Sequence, residues 1–300
     1  MAHSSRRTFL KTSGSVAGAF MLTNLLGGAT PSSKVRLSGH LWIYASKFPP
    51  KWDSTPILDQ VFSDFKYAGM EGLELMQSNL LQHPDAVSNL RSLTEKYKIP
   101  VTGTSFYGEM WDQAKHQKIL EDAEVLVDRL HQLGGTNFGI TVGTAKRMKT
   151  EAELDAQAMV LERVLKICRD KNVTGNLHNH TFEVENDLHD LKGTLSRLPD
   201  VKLGPDLNWL IRGGVDPVDF IRTYGKQMVY MHLRDQNKDG QWTEALGEGV
   251  TDFPAIARAL KEVNFKGEAA IELASDIPPV KPMRENWKIS RAYVKKVFGW

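Results

Sequence analysis

The chain has 300 residues, 41% hydrophobic and 25% charged, enough for one large domain or two small ones. Its 38 lysines and arginines against 36 aspartates and glutamates leave a formal charge of +2. The basic residues are scattered among acidic ones, which excludes the basic stripe of a nucleic-acid binder.

The N-terminal MAHSSRRTFLKTSGSVAGAFMLTNLLGGA, residues 1–29, has a basic start, a modestly apolar Gly/Ala-rich middle and small residues at its end, the layout of an export signal. Its SRRTFLK stretch, with Arg6 and Arg7 ahead of Phe9, Leu10 and Lys11, resembles the twin-arginine signal, an address read by a receptor and not a membrane anchor. Gly27 and Ala29 suit cleavage just before Thr30, and no cysteine is there to be lipidated. The expectation is a soluble mature chain of residues 30–300 in a bacterial periplasm, with no stable membrane anchor after cleavage. The only cysteine, Cys168, cannot form an intrachain disulfide, and it continues the helical spacing Leu154, Ala158, Leu161, Leu165, so it belongs to the core. A disulfide-free exported protein fits a route that carries folded cargo, and folding in the cytoplasm permits metal loading there.

From residue 35 onward, short β-branched runs alternate with amphipathic stretches, the pattern of βα units around a parallel sheet. Eight runs follow in order: VRLSGHLWI (35–43), GLELM (72–76), VTGTSF (101–106), NFGITV (137–142), VTGNLH (173–178), VKLGPDL (201–207), MVYMHL (228–233) and EAAIEL (268–273). Helix candidates such as PILDQVFSDFKYAG, HQKILEDAEVLVDRLHQLGG and ELDAQAMVLERVLKICRDKN lie between them, several ending near Gly or Asn. Eight strand–helix repeats in this length predict an α/β fold of the (β/α)8 TIM-barrel type, a single domain. A doubly wound open sheet usually has fewer strands, and no GxGxxG follows the first run.

TIM-barrel chemistry sits at the C-terminal ends of the strands, so polar residues there are the candidates. They are Glu74 on the second run, His178 and His180 on the fifth, Asp206 and Asn208 on the sixth, His232 and Arg234 on the seventh, and Glu272 on the eighth. Strand alternation sends His178 and His180 of HNHTFE to one face and Asn179 to the other. Any one of these groups could be a salt-bridged or hydrogen-bonded core residue. Together they bring imidazoles and carboxylates to one mouth, a ligand set for one divalent transition ion, Mn²⁺, Co²⁺, Fe²⁺ or Zn²⁺, and not for the all-oxygen shells of Ca²⁺ or Mg²⁺.

GLELM, HNHTFE, MHLRD (231–235), LGEG (246–249) with its following Asp252-Phe253, and AIEL (270–273) resemble the xylose-isomerase-like TIM barrels, over about residues 35–298. That family includes sugar isomerases and epimerases, inosose dehydratases and an apurinic-site endonuclease. The resemblance implies metal ligands from strands five to eight, which map onto His178, Asp206, His232 and Glu272. Many family epimerases carry Glu at the position of His178, and their two metal-bound glutamates move a proton on and off the substrate. Here only Glu272 remains of that pair, and the HNH variant resembles barrels loosely called sugar isomerases as well as the inosose dehydratases.

His180, one step further out than His178, is a candidate acid or base, or else a partner of Glu183 or Glu74. Arg234 is placed to clamp a hydroxyl or carboxylate, and Asp235 is read as a loop or supporting residue. The LGEG loop carries Glu248 and lacks a following lysine, so it is not read as a phosphate site. Trp42, Trp111, Trp209 and Trp242 fall at or beyond strand ends and suit stacking on a sugar ring, or simple lid packing. With Glu74 and Asn208 they complete the substrate-facing candidates.

The resulting expectation is an exported, metal-dependent isomerase or epimerase that abstracts a proton next to a carbonyl of a small unphosphorylated carbohydrate, with Glu272 and His180 as proton carriers. A keto-sugar or keto-glycoside hydratase, dehydratase or lyase is the alternative. A non-catalytic carbohydrate-binding barrel would need the tryptophans but no His/carboxylate cluster. A repair nuclease would need more histidines at strands two and three.

Overall fold

Eight short strands, each followed by helix, run in one direction around a closed wall in the computed structural model, which describes residues 35–300. The segment read as an export signal lies outside the described residues. The strands are β1 (Leu37–His40), β2 (Gly72–Met76), β3 (Val101–Tyr107), β4 (Asn137–Thr141), β5 (Thr174–Leu177), β6 (Lys202–Leu203), β7 (His232–Leu233) and β8 (Ala269–Ile271). Their hydrogen-bonded order is β6-β5-β4-β3-β2-β1-β8-β7, parallel throughout. Parallel bridges Leu203↔Met228 and Asp206↔His232 join the two ends, so the sheet is a TIM barrel.

Each strand falls within or almost within its predicted run. The sixth and seventh are much shorter than the apolar stretches that announce them. Gly204 and Pro205 end the β6 ladder, because proline has no N–H to give. On the facing side the amides of Val229 and Tyr230 both reach the Leu203 carbonyl, at 2.9 and 3.4 Å, a local irregularity that holds regular β7 back until His232.

The helices begin and end where local chemistry dictates. Thr150 accepts from the Glu153 amide while Glu153 accepts from the Thr150 amide, a capping box that starts the helix Glu151–Asp170. Gly69, at φ 72°, ends the helix Leu58–Ala68 in the left-handed conformation glycine adopts freely. The helix Thr181–Arg197 is broken at Glu185–Leu188, where Asn186, Asp187 and Leu188 have positive φ.

The last helix, Met283–Phe298, packs on the outside of β1. Its Trp287 is fully buried, edge-on to Phe65 at 4.6 Å, and its indole N–H donates to the Tyr44 hydroxyl, which donates to Asp64. A side chain on Gly39 would lie 2.4 Å from the Phe65 ring, so glycine permits this approach. Cys168 is buried, as its helical spacing requires.

Candidate metal centre and active-site cavity

His178, Asp206, His232 and Glu272 all come from the C-terminal ends of β5 to β8, and the strand pairing sets them side by side. His232 bridges Asp206 on one side, and β7 pairs with β8 so that the Glu272 amide donates to the Leu233 carbonyl at 2.9 Å. One ligand atom from each of the four lies within 4.8 Å of every other, and all four residues are buried.

The second carboxylate oxygen of Asp206 tests whether a cation fits. Asp206 Oδ1 accepts from the amides of Asn208 (2.9 Å) and Trp209 (3.2 Å), capping the helix Leu207–Arg212. Oδ2 is buried without a hydrogen-bond partner, and the Arg234 guanidinium stands 3.5 Å away. A buried carboxylate oxygen with a guanidinium near it but no hydrogen bond is poorly satisfied, and a cation shared with three further donors would satisfy it. The donor set could therefore hold a divalent transition ion.

His232 is aimed by what lies behind it. Its Nε2 meets Glu74 Oε2 at 2.8 Å and its Nδ1 meets Glu272 Oε2 at 2.6 Å. Burial opposes ionisation of Glu74, but His232, His40 and the Tyr230 hydroxyl, which donates at 3.0 Å, outweigh it and hold the carboxyl below its ordinary value. The ionised carboxylate accepts the Nε2 proton, leaving Nδ1 to face the centre.

Burial drives the His178 imidazole well below its usual pKa, with His232, His180, His40 and Arg234 adding to the effect. A neutral ring carries the lone pair a metal needs. His180 is shifted down by burial as well, though its side chain is 36% exposed toward the cavity, where water blunts the effect.

Beyond the cluster opens a cavity of about 630 Å³. His178, His180, Arg234 and Glu272 line it together with Trp209 and Trp242. His180 stacks on Phe182 with ring centroids 5.4 Å apart and sits 5.7 Å from the Trp209 ring. Its backbone N–H donates to Glu183 Oε2 at 2.6 Å, while Glu183 Oε1 accepts from the Val142 amide at 2.9 Å. Burial and then Asp190 push the Glu183 carboxyl up to about 8, partly offset by these two amides. Arg234 contacts Glu272 Oε1 and lies over the Trp242 ring, 4.6 Å from its centroid. Trp209 and Trp242 meet edge to face at 5.3 Å.

Several expected residues sit elsewhere. Glu74 does not line the cavity; it lies behind His232, 1% exposed. Asn208 is buried behind the wall, its amide donating to the Arg234 carbonyl at 2.8 Å, and so supports that arginine's backbone. Trp111 is also absent from the lining, because β3 ends at Tyr107 and the chain turns away with the Met110 amide donating to Val142. Trp42 lines the cavity from a short helix, Trp42–Ala45, that starts directly after β1.

Among the lining residues that the expectation did not name are His40 and Trp52. His40 ends β1 inside the mouth, its Nδ1 3.4 Å from Glu272 Oε2 and its ring 5.0 Å from that of His232. Burial pushes it down to about 3. It is a polar residue at a strand end, the same signal that marks His178. Trp52, in the loop after Trp42, gave no such signal.

Asp235 is a latch. One carboxylate oxygen accepts from the amides of Gly247 (2.9 Å) and Gly249 (3.0 Å), the other from those of Gln236 (2.9 Å) and Thr251 (3.3 Å). A side chain on Gly249 would lie 2.4 Å from this carboxylate, which accounts for the second glycine of LGEG. That loop is a structural strap.

A family model described as xylose isomerase-like TIM barrel matches residues 62–296. The chain belongs to the xylose isomerase-like TIM barrel family. Its relatives include the inosose dehydratase of Geobacillus kaustophilus (strain HTA426), 23% identical, the match covering 80% of this chain and 87% of that protein. Among solved structures, a sugar phosphate isomerase/epimerase from Parabacteroides distasonis ATCC 8503 superposes with a TM-score of 0.70 at 15% identity, over 91% of this chain and 97% of that one. D-allulose 3-epimerase from Methylomonas sp., in complex with D-allulose, does so with a TM-score of 0.70 at 16% identity, over 88% and 98%. At these identities the structures establish the shared fold.

Proposed function

We propose that this protein is a divalent-metal-dependent isomerase or epimerase of a small unphosphorylated carbohydrate, exported by way of Arg6 and Arg7, which abstracts a proton from the carbon next to a carbonyl. The observation that carries the reading is that Glu272 belongs to the ligand cluster and also lines the cavity, with His180 on the same wall. Relatives that act on inososes and neighbours that bind or epimerise sugars support the substrate class.

A transition ion held by His178, Asp206, His232 and Glu272 would serve as Lewis acid toward the carbonyl and adjacent hydroxyl oxygens of the substrate. Glu272 accepts the proton from carbon, its carboxylate held by the Arg234 guanidinium on Oε1. Arg234 also places positive charge beside the oxygen that becomes anionic as the proton leaves. His180, neutral and partly open to the cavity, handles the second proton transfer. Trp209 offers an aromatic surface to the sugar ring, while Trp242, with the Arg212 and Arg234 guanidiniums 3.2 and 4.6 Å from its ring centroid, holds those arginines at the cavity wall.

A dehydratase is the second reading, favoured by the inosose dehydratase relatives and by His178 at the position where the resemblance implies a glutamate in many of the family's epimerases. It shares the proton abstraction and differs in losing a β-hydroxyl. Both are tested by incubating the metal-loaded protein with keto-sugars and keto-inositols in D₂O. Deuterium should enter next to the carbonyl, and Glu272→Gln should suppress it while metal stays bound; an epimerised or an unsaturated product then separates the two. Absence of exchange across such a panel with a filled metal site would remove both readings.

A further inference from the structure

The cavity is larger than a single sugar needs. Even granting a hexose's twelve heavy atoms the ~30 Å³ each that water occupies in the liquid, the ring would fill ~360 Å³, against a cavity of about 630 Å³. The surplus has its own wall. It is built by the segments after β1 and β2, among them Trp42, Trp52, Leu81 and Gln82, on a different arc of the mouth from Trp209 and Trp242.

Trp52 is held there against its own preference. Its φ is 51°, in the left-handed region, where a bulky aromatic residue is an outlier. The residue is 38% exposed, so no burial in the core explains the conformation. What fixes it is its backbone: the amide donates to the Phe48 carbonyl at 2.8 Å, and the carbonyl accepts from Ser78 Oγ at 2.6 Å. Next to it, Asp53 accepts from the Thr55 amide at 3.0 Å and pairs with His83 at 2.7 Å. The result is an indole presented at the rim, its centroid 5.5 Å from that of Trp42 and tilted by 49°. The indole is thereby presented to whatever occupies the outer part of the cavity.

We propose that Trp42 and Trp52 form an outer subsite for a second ring, so that the substrate is a keto-glycoside whose oxidised sugar unit, carrying the carbonyl, reaches the metal cluster while its other ring stacks on these indoles. This rests on the reading of the cluster as a carbohydrate site and adds the class of carbohydrate. The second ring needs only a flat apolar face, so it can be a sugar or an aromatic aglycone.

Binding separates the proposal from the chemistry. The full-length metal-loaded protein is titrated calorimetrically with methyl β-D-glucopyranoside, with phenyl β-D-glucopyranoside and with cellobiose. At least one two-ring probe should bind about tenfold or more tighter than the methyl glycoside, and which one does so tells an aryl from a sugar partner. Trp52→Gly removes the ring but tolerates positive φ, so it should keep the fold and bring the ratio of affinities toward one. Trp42→Phe, which keeps a smaller ring and the short helix, should lower the same ratio part of the way. Equal affinities for one-ring and two-ring probes, or a preference unchanged in Trp52→Gly, would overturn the outer subsite. A two-ring preference in a protein that shows no deuterium exchange would sink the proton-abstraction reading and leave the subsite standing.

Discussion

Glu74 and His232 are 158 residues apart in sequence and touch across the barrel, Oε2 to Nε2 at 2.8 Å. The contact decides which ring nitrogen faces the other candidate ligands. Carboxylates behind metal-binding histidines typically govern affinity about 10–100-fold. Glu74→Gln should therefore weaken zinc or manganese binding at least about tenfold while all four ligands remain. Competition titration against a fluorescent chelator checks this, and unchanged affinity would show that His232 is oriented by something else.

Asp206 has two oxygens with separate tasks: Oδ1 caps a helix and Oδ2 faces the cluster. Asparagine keeps a capping oxygen and loses the charge. Asp206→Asn should abolish stoichiometric metal binding by elemental analysis while changing metal-free stability by under about 1 kcal/mol in urea. Asp206→Ala removes both tasks and should cost about 1 kcal/mol more than the asparagine variant.

Cutting the Asp235 latch should loosen the barrel mouth without touching the cluster. Asp235→Ala leaves the amides of Gly247, Gly249 and Thr251 without their carboxylate. A loss of about 2–4 kcal/mol is expected in urea unfolding, since hydrogen bonds to charged groups are the stronger kind. A change below about 0.5 kcal/mol would mean the loop holds itself.

Burial pushes the Cys168 thiol up to about 12. The reactive thiolate is therefore scarce in the folded protein at pH 8–9, and iodoacetamide should label one equivalent per chain only after denaturation. Because the folded pKa lies above the unfolded one, this thiol's contribution to stability is complete below about pH 9 and is lost as pH rises toward 12. Rapid labelling of the native protein at pH 8 would place Cys168 at an accessible surface.

Strand positions were legible because buried parallel strands read as short apolar runs between amphipathic helices, and the barrel rule then pointed to the strand ends. Three of the four residues in the cluster, Asp206, His232 and Glu272, stand at or just beyond runs with no polar neighbour to confuse them. What escaped depends on geometry at right angles to the chain. Glu74 and Asn208 were read as strand-end residues, yet Glu74 is the middle residue of β2 and meets His232 in the barrel interior, and Asn208 lies in the helix Leu207–Arg212 and turns under Arg234. No local pattern distinguishes a side chain in the cavity from one behind its wall. Trp52 could not be read at all, since neither its positive φ nor its place at the cavity rim is announced by the sequence around it. His40 carried the same signal as His178, and its pairing opposite Glu74 in β1–β2 shows why it arrives at the same level.

The barrel is closed by its weakest join, where β6 and β7 contribute two regular residues each and meet through bridges at Leu203↔Met228 and Asp206↔His232. The second bridge pairs the backbones of two residues in the ligand cluster. An ion gripped by their side chains would span the last seam of the wall and act as a rivet there, tying the circle shut at the point where the peptide ladder is thinnest. Occupancy of the cluster and roundness of the barrel would then be one mechanical property. Loss of the ion would be felt first as slack between these two strands, in faster amide exchange at Leu203, Val229 and His232, before any helix on the outside of the barrel loosened.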